Sequence, residues 1–256
     1  MHAVPPAKCS PRHTRPPGAG FAAGFGVWYR LGSMEVDAVI VAAGASTRFG
    51  AADKLTAVVE GATVLARSVA AFVAARGVGR IVVVAHPDRV EELRTVAKDA
   101  AAGRDFLVVA GGARRRDSVE AGVRACGSRY VAIHDGARPL VTPALIERCL
   151  AGAEGHAGAI AAIPVTDTIK EVRSGTVSAH PDRSLLWAAQ TPQVVLRQAW
   201  LDAARMSDGD ETDDAAMLSR LGLECRVVEG DIENIKITRP LDLEVAAAIL
   251  RRRERG

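Results

Sequence analysis

The sequence predicts an α/β protein with a doubly wound, mostly parallel sheet. Apolar and β-branched runs of strand length alternate along the chain with segments whose apolar residues recur at helical spacing. The central runs show no polar alternation, which is typical of strands that helices cover on both faces. Apolar residues make up 48% of the 256 residues and aromatic residues only 4%, so we expect a core of mainly Ala, Val, Leu and Ile. In such sheets, ligands bind above the carboxyl ends of the strands.

The composition argues against several classes of protein. No apolar run approaches the roughly 20 residues that cross a membrane as a helix, so we expect no membrane partner. The formal net charge of +3 is too small to indicate nucleic acid as a partner. The cysteines, Cys9, Cys126, Cys149 and Cys225, are scattered without any Cys-x-x-Cys pair. This spacing argues against a structural zinc site or a disulfide framework, and predicts free thiols in a reducing cytoplasm.

Residues 1–33 differ in composition from the rest of the chain. They contain five prolines, several glycines and scattered arginines, and their apolar residues show no periodicity. We therefore expect a disordered extension, followed by one domain over residues 34–256. A secretory signal is not expected, because no continuous apolar segment follows the basic residues. Met34 stands immediately before the first predicted strand, so it is an alternative start to Met1.

The first predicted strand, Ala38–Ala43, leads into a loop of small residues. Gly44 and Ala45 open that loop, and two cations, Arg48 and Lys54, follow. Small residues let a backbone approach a ligand, and successive N–H groups in such a loop bind anions. Arg grips phosphate with two donors, and Lys adds a mobile point charge. The stretch favours a phosphate site. Its spacing matches neither the Walker loop nor the dinucleotide fingerprint, and an ordinary strand-to-helix loop also fits it.

The remaining elements alternate as the fold class requires. Apolar and β-branched runs predict strands at residues 81–85, 106–109, 130–134, 158–163, 225–228 and 234–238. Helical spacing predicts helices at residues 63–76, near 90–96, at 196–206, from 211 onward with Thr212 as a possible cap, and at 240–251, where Pro240 suits the first turn. Because parallel strands end at one edge of the sheet, the loops that follow them are expected to meet there.

One loop at that edge is rich in arginine. Gly111–Ser118 holds three consecutive arginines and leads into a helix that Asp117 and Ser118 are expected to open. The pattern fits either a ligand-binding loop or a solvated basic turn with a helix N-cap.

Asp135 directly follows the predicted strand that ends at His134. Magnesium usually takes one or two carboxylates together with substrate phosphates, so Asp135 is a candidate metal ligand. The alternative is that Asp135 caps the helix near Thr142. We expect His134 to be a core residue, because no second His lies at ligand spacing.

The pattern changes after residue 163. Residues 164–179 alternate in polarity about Ser174 and Gly175, which predicts a β-hairpin. An isolated two-stranded ribbon is marginally stable in water, so this arm, residues 163–186, is expected to pack on another surface.

Five motifs, taken together and in this order, resemble one enzyme family. They are residues 42–54, 111–119, 134–139, 189–193 and 233–238. The family is that of the 2-C-methyl-D-erythritol 4-phosphate cytidylyltransferases of the non-mevalonate isoprenoid pathway, and the resemblance runs over about residues 37–250. The chain departs from the family pattern at two positions: Asp53 stands where Pro is usual, and Gly136 where Ala is usual.

The resemblance implies a reaction and a set of site residues. CTP would donate CMP to 2-C-methyl-D-erythritol 4-phosphate with magnesium as cofactor, and pyrophosphate would leave. The catalytic residues would be Arg48, Lys54, Arg183 and Lys236, with Asp135 as the metal ligand. The CTP-binding residues would be Ala42, Ala43, Gly44, Ala45, Gly111, Gly112, Arg115, Ser118 and Ala137. The acceptor-binding residues would be Arg138, Thr168, Arg183 and Lys236, with Asp213 helping to shape the site. The resemblance also implies a homodimer through the 163–186 arm, in which Arg183 reaches the neighbouring subunit's acceptor phosphate.

The sequence leaves three other functions open. A ribitol 5-phosphate cytidylyltransferase would share most of these motifs. A sugar-1-phosphate nucleotidyltransferase using UTP or GTP fits less well, because residues 189–193 and 233–238 match the cytidylyltransferases. A non-catalytic nucleotide-binding module, which is a different class of protein, would not need the full set of charges.

Overall fold

A seven-stranded sheet organises the part of the chain that the structure describes. The structure is a computed structural model, and it describes residues 35–44, 49, 53–206 and 213–256. The expectations for residues 1–33, and for Ala45, Arg48 and Thr212, therefore lie outside the described residues.

The described elements alternate as predicted, with some additions. The strands are β1 (Val36–Ala42), β2 (Val58–Val59), β3 (Ala62–Thr63), β4 (Val78–Ala85), β5 (Phe106–Ala110), β6 (Tyr130–Asp135), β7 (Gly158–Pro164), β8 (Glu171–Arg173), β9 (Thr176–Ala179), β10 (Trp187–Leu196) and β11 (Arg226–Glu229). The helices are α1 (Val64–Ala74), α2 (Val90–Lys98), α3 (Arg115–Ala125), α4 (Pro143–Ala153), α5 (Arg197–Met206), α6 (Asp214–Ser219) and α7 (Pro240–Arg255). Short 3-10 helices cover Pro87–Arg89 and Arg183–Leu185. The small β2–β3 hairpin was not predicted.

The large sheet has the strand order β11-β7-β10-β6-β1-β4-β5. Its pairs are parallel except for β10, which runs antiparallel to β6 and β7. The predicted doubly wound, mostly parallel sheet is therefore confirmed. β10 was not predicted as a strand, because Gln190, Pro192 and Gln193 interrupt its apolar run.

Successive side chains of β1 are buried in two different clusters, one on each face of the sheet, because side chains of a strand point to alternate faces. Ala38 and Ile40 join the cluster that includes Leu65 of α1 and Leu145 of α4. Val39 joins the opposite cluster, which α3, α5 and α6 complete. Helices on both faces explain why the central strands read as unbroken apolar runs.

The register of the strands places their following loops along one edge. Ala42 at the end of β1 pairs with Ala85 of β4, which pairs with Ala110 of β5, and Val41 pairs with Asp135 of β6. The loops that begin at Ala43, His86, Gly111 and Gly136 therefore start side by side. This confirms the expectation that the charged loops meet at the carboxyl edge.

Three local expectations were wrong. Helix α3 begins at Arg115, before Asp117 and Ser118, because the Arg114 backbone N–H donates to the Asp117 carboxylate at 3.2 Å in a capping box. Asp135 does not cap α4, because the Thr142 hydroxyl accepts the Leu145 N–H at 3.2 Å.

The third wrong expectation is the strand at residues 234–238, which the structure shows as an irregular segment. Its N–H groups bond to loop partners rather than to a ladder. Asn234 donates to Asp231 O at 2.9 Å, and Ile237 donates to Ala137 O at 2.8 Å. An apolar alternation such as Ile235 and Ile237 predicts burial, and it does not determine where the backbone donors go.

The hairpin prediction is confirmed. β8 and β9 pair antiparallel about Ser174 and Gly175, whose φ angles of 49° and 80° both lie in the left-handed region that a tight two-residue turn needs. Cys126, Cys149 and Cys225 are free thiols as predicted, while Cys9 lies outside the described residues. None of the described helices is both long enough and apolar enough to span a membrane.

At the amino-terminal ends of the strands, the buried carboxylate of Asp37 accepts hydrogen bonds from neighbouring backbone segments. Its Oδ2 accepts the N–H groups of Gly127 and Ser128 at 2.7 and 2.9 Å, and its Oδ1 accepts that of Arg80 at 3.0 Å. Burial would raise the pKa of Asp37, but these bonds outweigh burial and lower the pKa below its ordinary value of 3.8.

Asp37→Asn is expected to lower the free energy of unfolding by about 1–3 kcal/mol, because an amide nitrogen cannot accept the two N–H groups at Oδ2. A depressed pKa in the folded state means that Asp37 stabilises the fold above pH 3.8 and loses this effect as pH falls through the folded pKa. Urea unfolding at pH 7 and pH 3 should show a smaller gap between variant and wild type at pH 3. A constant gap would contradict the assignment.

Candidate active site

One cavity brings together seven of the residues that the sequence singled out. It has a volume of about 160 Å³ and is lined by Val41, Ala42, Gly44, Lys54, Leu55, Arg115, Asp135, Ala137 and Lys236. These residues come from the ends of β1 and β6 and the residues just after them, from the segment before β2, from the start of α3 and from the segment before α7. The cavity lies at the neighbouring carboxyl ends of β1 and β6. In doubly wound sheets, ligands usually bind at this edge.

Two further cavities adjoin it and share its residues. A cavity of about 230 Å³ is lined by Val41, Ala43, Gly44, His86, Gly112, Ala113, Arg114, Arg115 and Ser118. A cavity of about 280 Å³ is lined by Arg115, Asp135, Arg138, Ala189, Gln190, Thr191, Gln193, Asp213 and Lys236. Arg115 lines all three, and Lys236 lines both the central cavity and the one that contains Arg138.

Gly111 and Gly112, in the arginine-rich loop, leave no room for a side chain. A Cβ on Gly111 would lie 2.6 Å from Ser118 Oγ and 2.8 Å from the Cβ of Ala43. A Cβ on Gly112 would lie 2.4 Å from the Cβ of Asp117. Ser118 itself is buried, and its Oγ bonds to the backbone of Gly112 at 3.2 Å and of Arg114 at 3.1 Å. The position of Ser118 therefore supports a role in shaping this loop.

Asp135 stands at the centre of the positive charges. Its Oδ2 lies 2.9 Å from Lys236 Nζ and 3.4 Å from Arg138 Nε. Burial would raise the pKa of Asp135, but the charges of Lys236, Arg115 and Arg138 outweigh it and hold the pKa well below its usual range. The carboxylate is therefore ionised at any working pH, as a metal ligand must be.

A buried chain of hydrogen bonds fixes the backbone at Asp135. Its N–H donates to Thr191 Oγ1 at 3.0 Å, so the Thr191 hydroxyl can donate to His134 Nδ1, also at 3.0 Å. His134 Nε2 then faces Arg138 O at 3.3 Å. Burial lowers the pKa of His134 to about 4, so the ring is neutral near pH 7. His134 is therefore a core residue, as predicted.

Arg115 is held by a residue that the sequence analysis missed. Asp214 is buried, and its Oδ2 lies 2.8 Å from Arg115 Nη2. Its Oδ1 accepts the indole N–H of Trp200 at 3.0 Å, and its own N–H donates to Gln193 Oε1 at 2.9 Å. Neighbouring Asp213, the residue that was singled out, caps α6 and lines the largest of the three cavities. No spacing rule joins Arg115 to an acid 99 residues away.

Asn234 links the loops that carry the predicted acceptor cations. Its side chain is buried and donates to Thr191 O at 2.8 Å, while its backbone oxygen accepts Arg138 Nη1 at 2.8 Å. Lys236 lies two residues later on the same segment. Arg138 and Lys236 therefore share one cross-linked framework beside Asp135.

Two predicted acceptor residues do not line these three cavities. Thr168 is exposed at the base of the hairpin. Arg183 is exposed in the 3-10 helix that follows the hairpin, and its Nη1 donates to Thr166 O at 2.6 Å. Their exposure leaves both side chains accessible to another subunit.

The two departures from the family pattern have local explanations. Asp53, just before Lys54, pairs with Arg89 at the end of the loop after β4, and its Oδ1 accepts the Leu55 N–H at 2.6 Å. The ion pair between Asp53 and Arg89 thus restrains the position of the segment that carries Lys54. At Gly136, a Cβ would lie 3.1 Å from Val41 O and 3.3 Å from Leu65 Cδ1, so the smaller residue relieves crowding.

The donor set fits a magnesium ion that is completed by substrate. Asp135 is the sole carboxylate among the described residues that line the central cavity. No group of three or more His, Cys, Asp or Glu side chains within the described ranges could hold a metal by itself. Magnesium commonly takes one or two carboxylates, substrate phosphates and water, and that coordination needs no all-protein cage.

Comparison with known proteins identifies the family of this chain. A sequence model of the 2-C-methyl-D-erythritol 4-phosphate cytidylyltransferase family, IspD, matches residues 36–252. The protein of that name from Microcystis aeruginosa is 41% identical over 222 residues, which are 84% of this chain and 98% of the relative. The one from Cereibacter sphaeroides strain KD131 is 42% identical over 221 residues, which are 85% and 97% of the two chains.

Solved structures show the same likeness. The crystal structure of 2-C-methyl-D-erythritol 4-phosphate cytidylyltransferase from Thermus thermophilus is similar with a TM-score of 0.69 at 30% identity, covering 85% of this chain and 100% of the other. A family match over most of the chain, relatives above 40% identity and a shared fold all agree. The chain belongs to the 2-C-methyl-D-erythritol 4-phosphate cytidylyltransferase family.

Proposed function

We propose that this protein transfers CMP from CTP to 2-C-methyl-D-erythritol 4-phosphate, giving 4-diphosphocytidyl-2-C-methyl-D-erythritol and pyrophosphate for isoprenoid biosynthesis. The family match supports the reaction. The observation that carries the assignment to this site is the cavity in which Lys54, Arg115 and Lys236 surround Asp135.

The reaction needs no nucleophile from the protein. The acceptor's phosphate oxygen attacks the α-phosphorus of CTP in line, and the bond to pyrophosphate breaks. Catalysis then consists of positioning and charge stabilisation. Lys54 stabilises the negative charge on the transferred and leaving phosphates, together with Arg48, which lies outside the described residues. Magnesium, held by Asp135 and the phosphates, would neutralise charge on them when bound.

The nucleoside and the acceptor are assigned to the cavities that adjoin Arg115. The small residues Ala42–Gly44, Gly112 and Ala137 let CTP approach the backbone closely. Arg138 and Lys236 bind the acceptor in the cavity that Gln190 and Thr191 also line. Lys236 is paired with Asp135 at 2.9 Å, so its ammonium group is positioned before the acceptor binds.

Nucleotide choice tests the reaction class. With 2-C-methyl-D-erythritol 4-phosphate as acceptor, we expect CTP to be used with a far higher kcat/KM than UTP, GTP or ATP. Mass spectrometry should identify the cytidylylated product and pyrophosphate in equal amounts. A preference for UTP or GTP, or binding of CTP without turnover, would reject the assignment in favour of one of the alternative functions.

We further propose that the protein works as a homodimer in the cytoplasm, through the 163–186 arm. Val172 and Val177 form a cross-strand pair on the hairpin and are 57% and 48% exposed. Two apolar side chains on one exposed face favour a partner surface. The free thiols of the described cysteines suit a reducing compartment.

The double variant Val172→Glu, Val177→Glu is expected to be monomeric, because partner contact would bury two like charges that face each other. Light scattering after gel filtration measures the mass. Thr176→Glu is the matched control, since Thr176 pairs with Arg173 at the adjacent hairpin position. A double variant that stays dimeric would place the interface elsewhere.

A further inference from the structure

The two segments that carry the acceptor cations have no regular secondary structure. Residues 136–142 carry Arg138, and residues 230–238 carry Lys236. Contacts between the segments and with neighbouring elements must therefore fix how far apart the two cations lie. Besides the bonds at Asn234 and Ile237, both segments contact the C-terminal helix α7.

Arg253 of α7 bridges the two segments with one guanidinium group. Its Nη1 donates to Leu140 O at 3.0 Å, and its Nε donates to Glu233 Oε2 at 2.9 Å. Arg253 and Glu233 are both largely buried, with side chains 28% and 20% exposed. Leu140 packs in a buried cluster with Ile237 and with Ala246 of α7, so the bridge rests on a rigid base.

We infer that Arg253, with Glu233 as its partner, is a positioning residue that sets the spacing of Arg138 and Lys236 for the acceptor phosphate. The inference rests on the proposed function of that site. Arg is suited to this task because its planar fork donates in two fixed directions, whereas Lys offers a single point charge. Arg253 lines none of the three cavities described above, so its effect is expected to pass through the two segments.

The helix offers a matched control, Arg251. It lies two residues before Arg253 and pairs with Glu60 at 2.6 Å, away from both segments. Removing it should break a more exposed ion pair of the same helix without touching the spacing of the cations. If Arg253 only held α7 against the domain, Arg253→Ala and Arg251→Ala would change KM for the alcohol phosphate by similar factors.

The test measures KM for CTP and for 2-C-methyl-D-erythritol 4-phosphate in Arg253→Ala, Arg253→Lys, Glu233→Gln and Arg251→Ala of the full chain. We expect Arg253→Ala and Glu233→Gln each to raise KM for the alcohol phosphate about tenfold, with KM for CTP within about twofold. Arg253→Lys should recover part of this loss. Glu233 also pairs with Arg252, and Arg253 Nη2 also lies 3.9 Å from Asp231 Oδ2. In the double variant the rise in KM for the alcohol phosphate should therefore be smaller than the product of the two single effects, because each substitution breaks the Arg253–Glu233 pair.

Equal changes in both Michaelis constants, or Arg253→Ala matching Arg251→Ala, would overturn the inference. If Arg253→Ala does not fold, Arg253→Lys and Glu233→Gln decide by the same comparison. Failure of the proposed function is a separate result, because the unmodified protein would then not turn over these substrates. In that case, calorimetric titration still measures the affinity of each variant for the alcohol phosphate. Equal affinities of Arg253→Ala and Arg251→Ala would overturn the inference.

Discussion

Replacing Asp135 by Asn is expected to abolish nearly all CMP transfer, by at least about a hundredfold in kcat, which is the usual scale for one preorganised electrostatic group. The substitution removes the carboxylate that faces Lys236 and Arg138 and that would hold magnesium. The pKa of Asp135 lies well below its usual range, so the charge is present over the whole working pH range. No choice of pH should therefore rescue the variant. Steady-state pyrophosphate release checks this.

The control for this experiment is Asp105→Asn. Asp105 pairs with Arg80 at 2.8 Å before β5, at the opposite edge of the sheet, so its loss should leave turnover unchanged. Thermal unfolding should show that the Asp135 variant stays folded. Near-normal turnover of that variant at saturating magnesium would remove Asp135 from the metal site.

The second large effect concerns sharing of the site between subunits. Arg183→Ala and Lys236→Ala should each lose most activity, with KM for the alcohol phosphate raised much more than KM for CTP. A charge-assisted bond commonly contributes about 1.5–3 kcal/mol, so each loss is roughly tenfold to a hundredfold. If Arg183 of one chain serves the site that contains Lys236 of the other, mixing the two variants should restore activity. A mixed dimer would contain one site with both cations and one with neither.

Subunit exchange must be measured independently, by native mass spectrometry or by capture of two different tags. Each variant incubated by itself provides the baseline. Exchange without any recovered activity would mean that Arg183 acts within its own chain. The exposed position of Arg183, apart from the three cavities, is the structural reason for expecting recovery.

The sequence predicted the parts of this protein that depend on local pattern. The unbroken apolar run at Ile81–Ala85 indicated a strand covered on both faces, and the helical spacing of Leu65, Val69 and Phe72 indicated α1; both are confirmed. The Ser174-Gly175 turn was also readable, because both residues must adopt positive φ. The cavity residues Lys54, Asp135 and Lys236 came from the family resemblance together with the position of the loops.

The parts that could not be predicted depend on contacts between distant residues. Asp214 was missed because its role arises from Arg115, Trp200 and Gln193, which only folding brings near it. The segment at Asn234 was taken for a strand, because its alternation marks burial while its donors bond to loop atoms. Thr191 stands in one of the five motifs, but its role was not predicted, since only the fold places its hydroxyl between His134 and the Asp135 N–H.

Pyrophosphate release, measured with CTP and each candidate alcohol phosphate in turn, decides which acceptor the protein uses. We expect rapid, magnesium-dependent release with 2-C-methyl-D-erythritol 4-phosphate, and a much lower kcat/KM with ribitol 5-phosphate. Equal or faster release with ribitol 5-phosphate would contradict the proposed acceptor. Absence of release with either acceptor would contradict the proposed reaction itself.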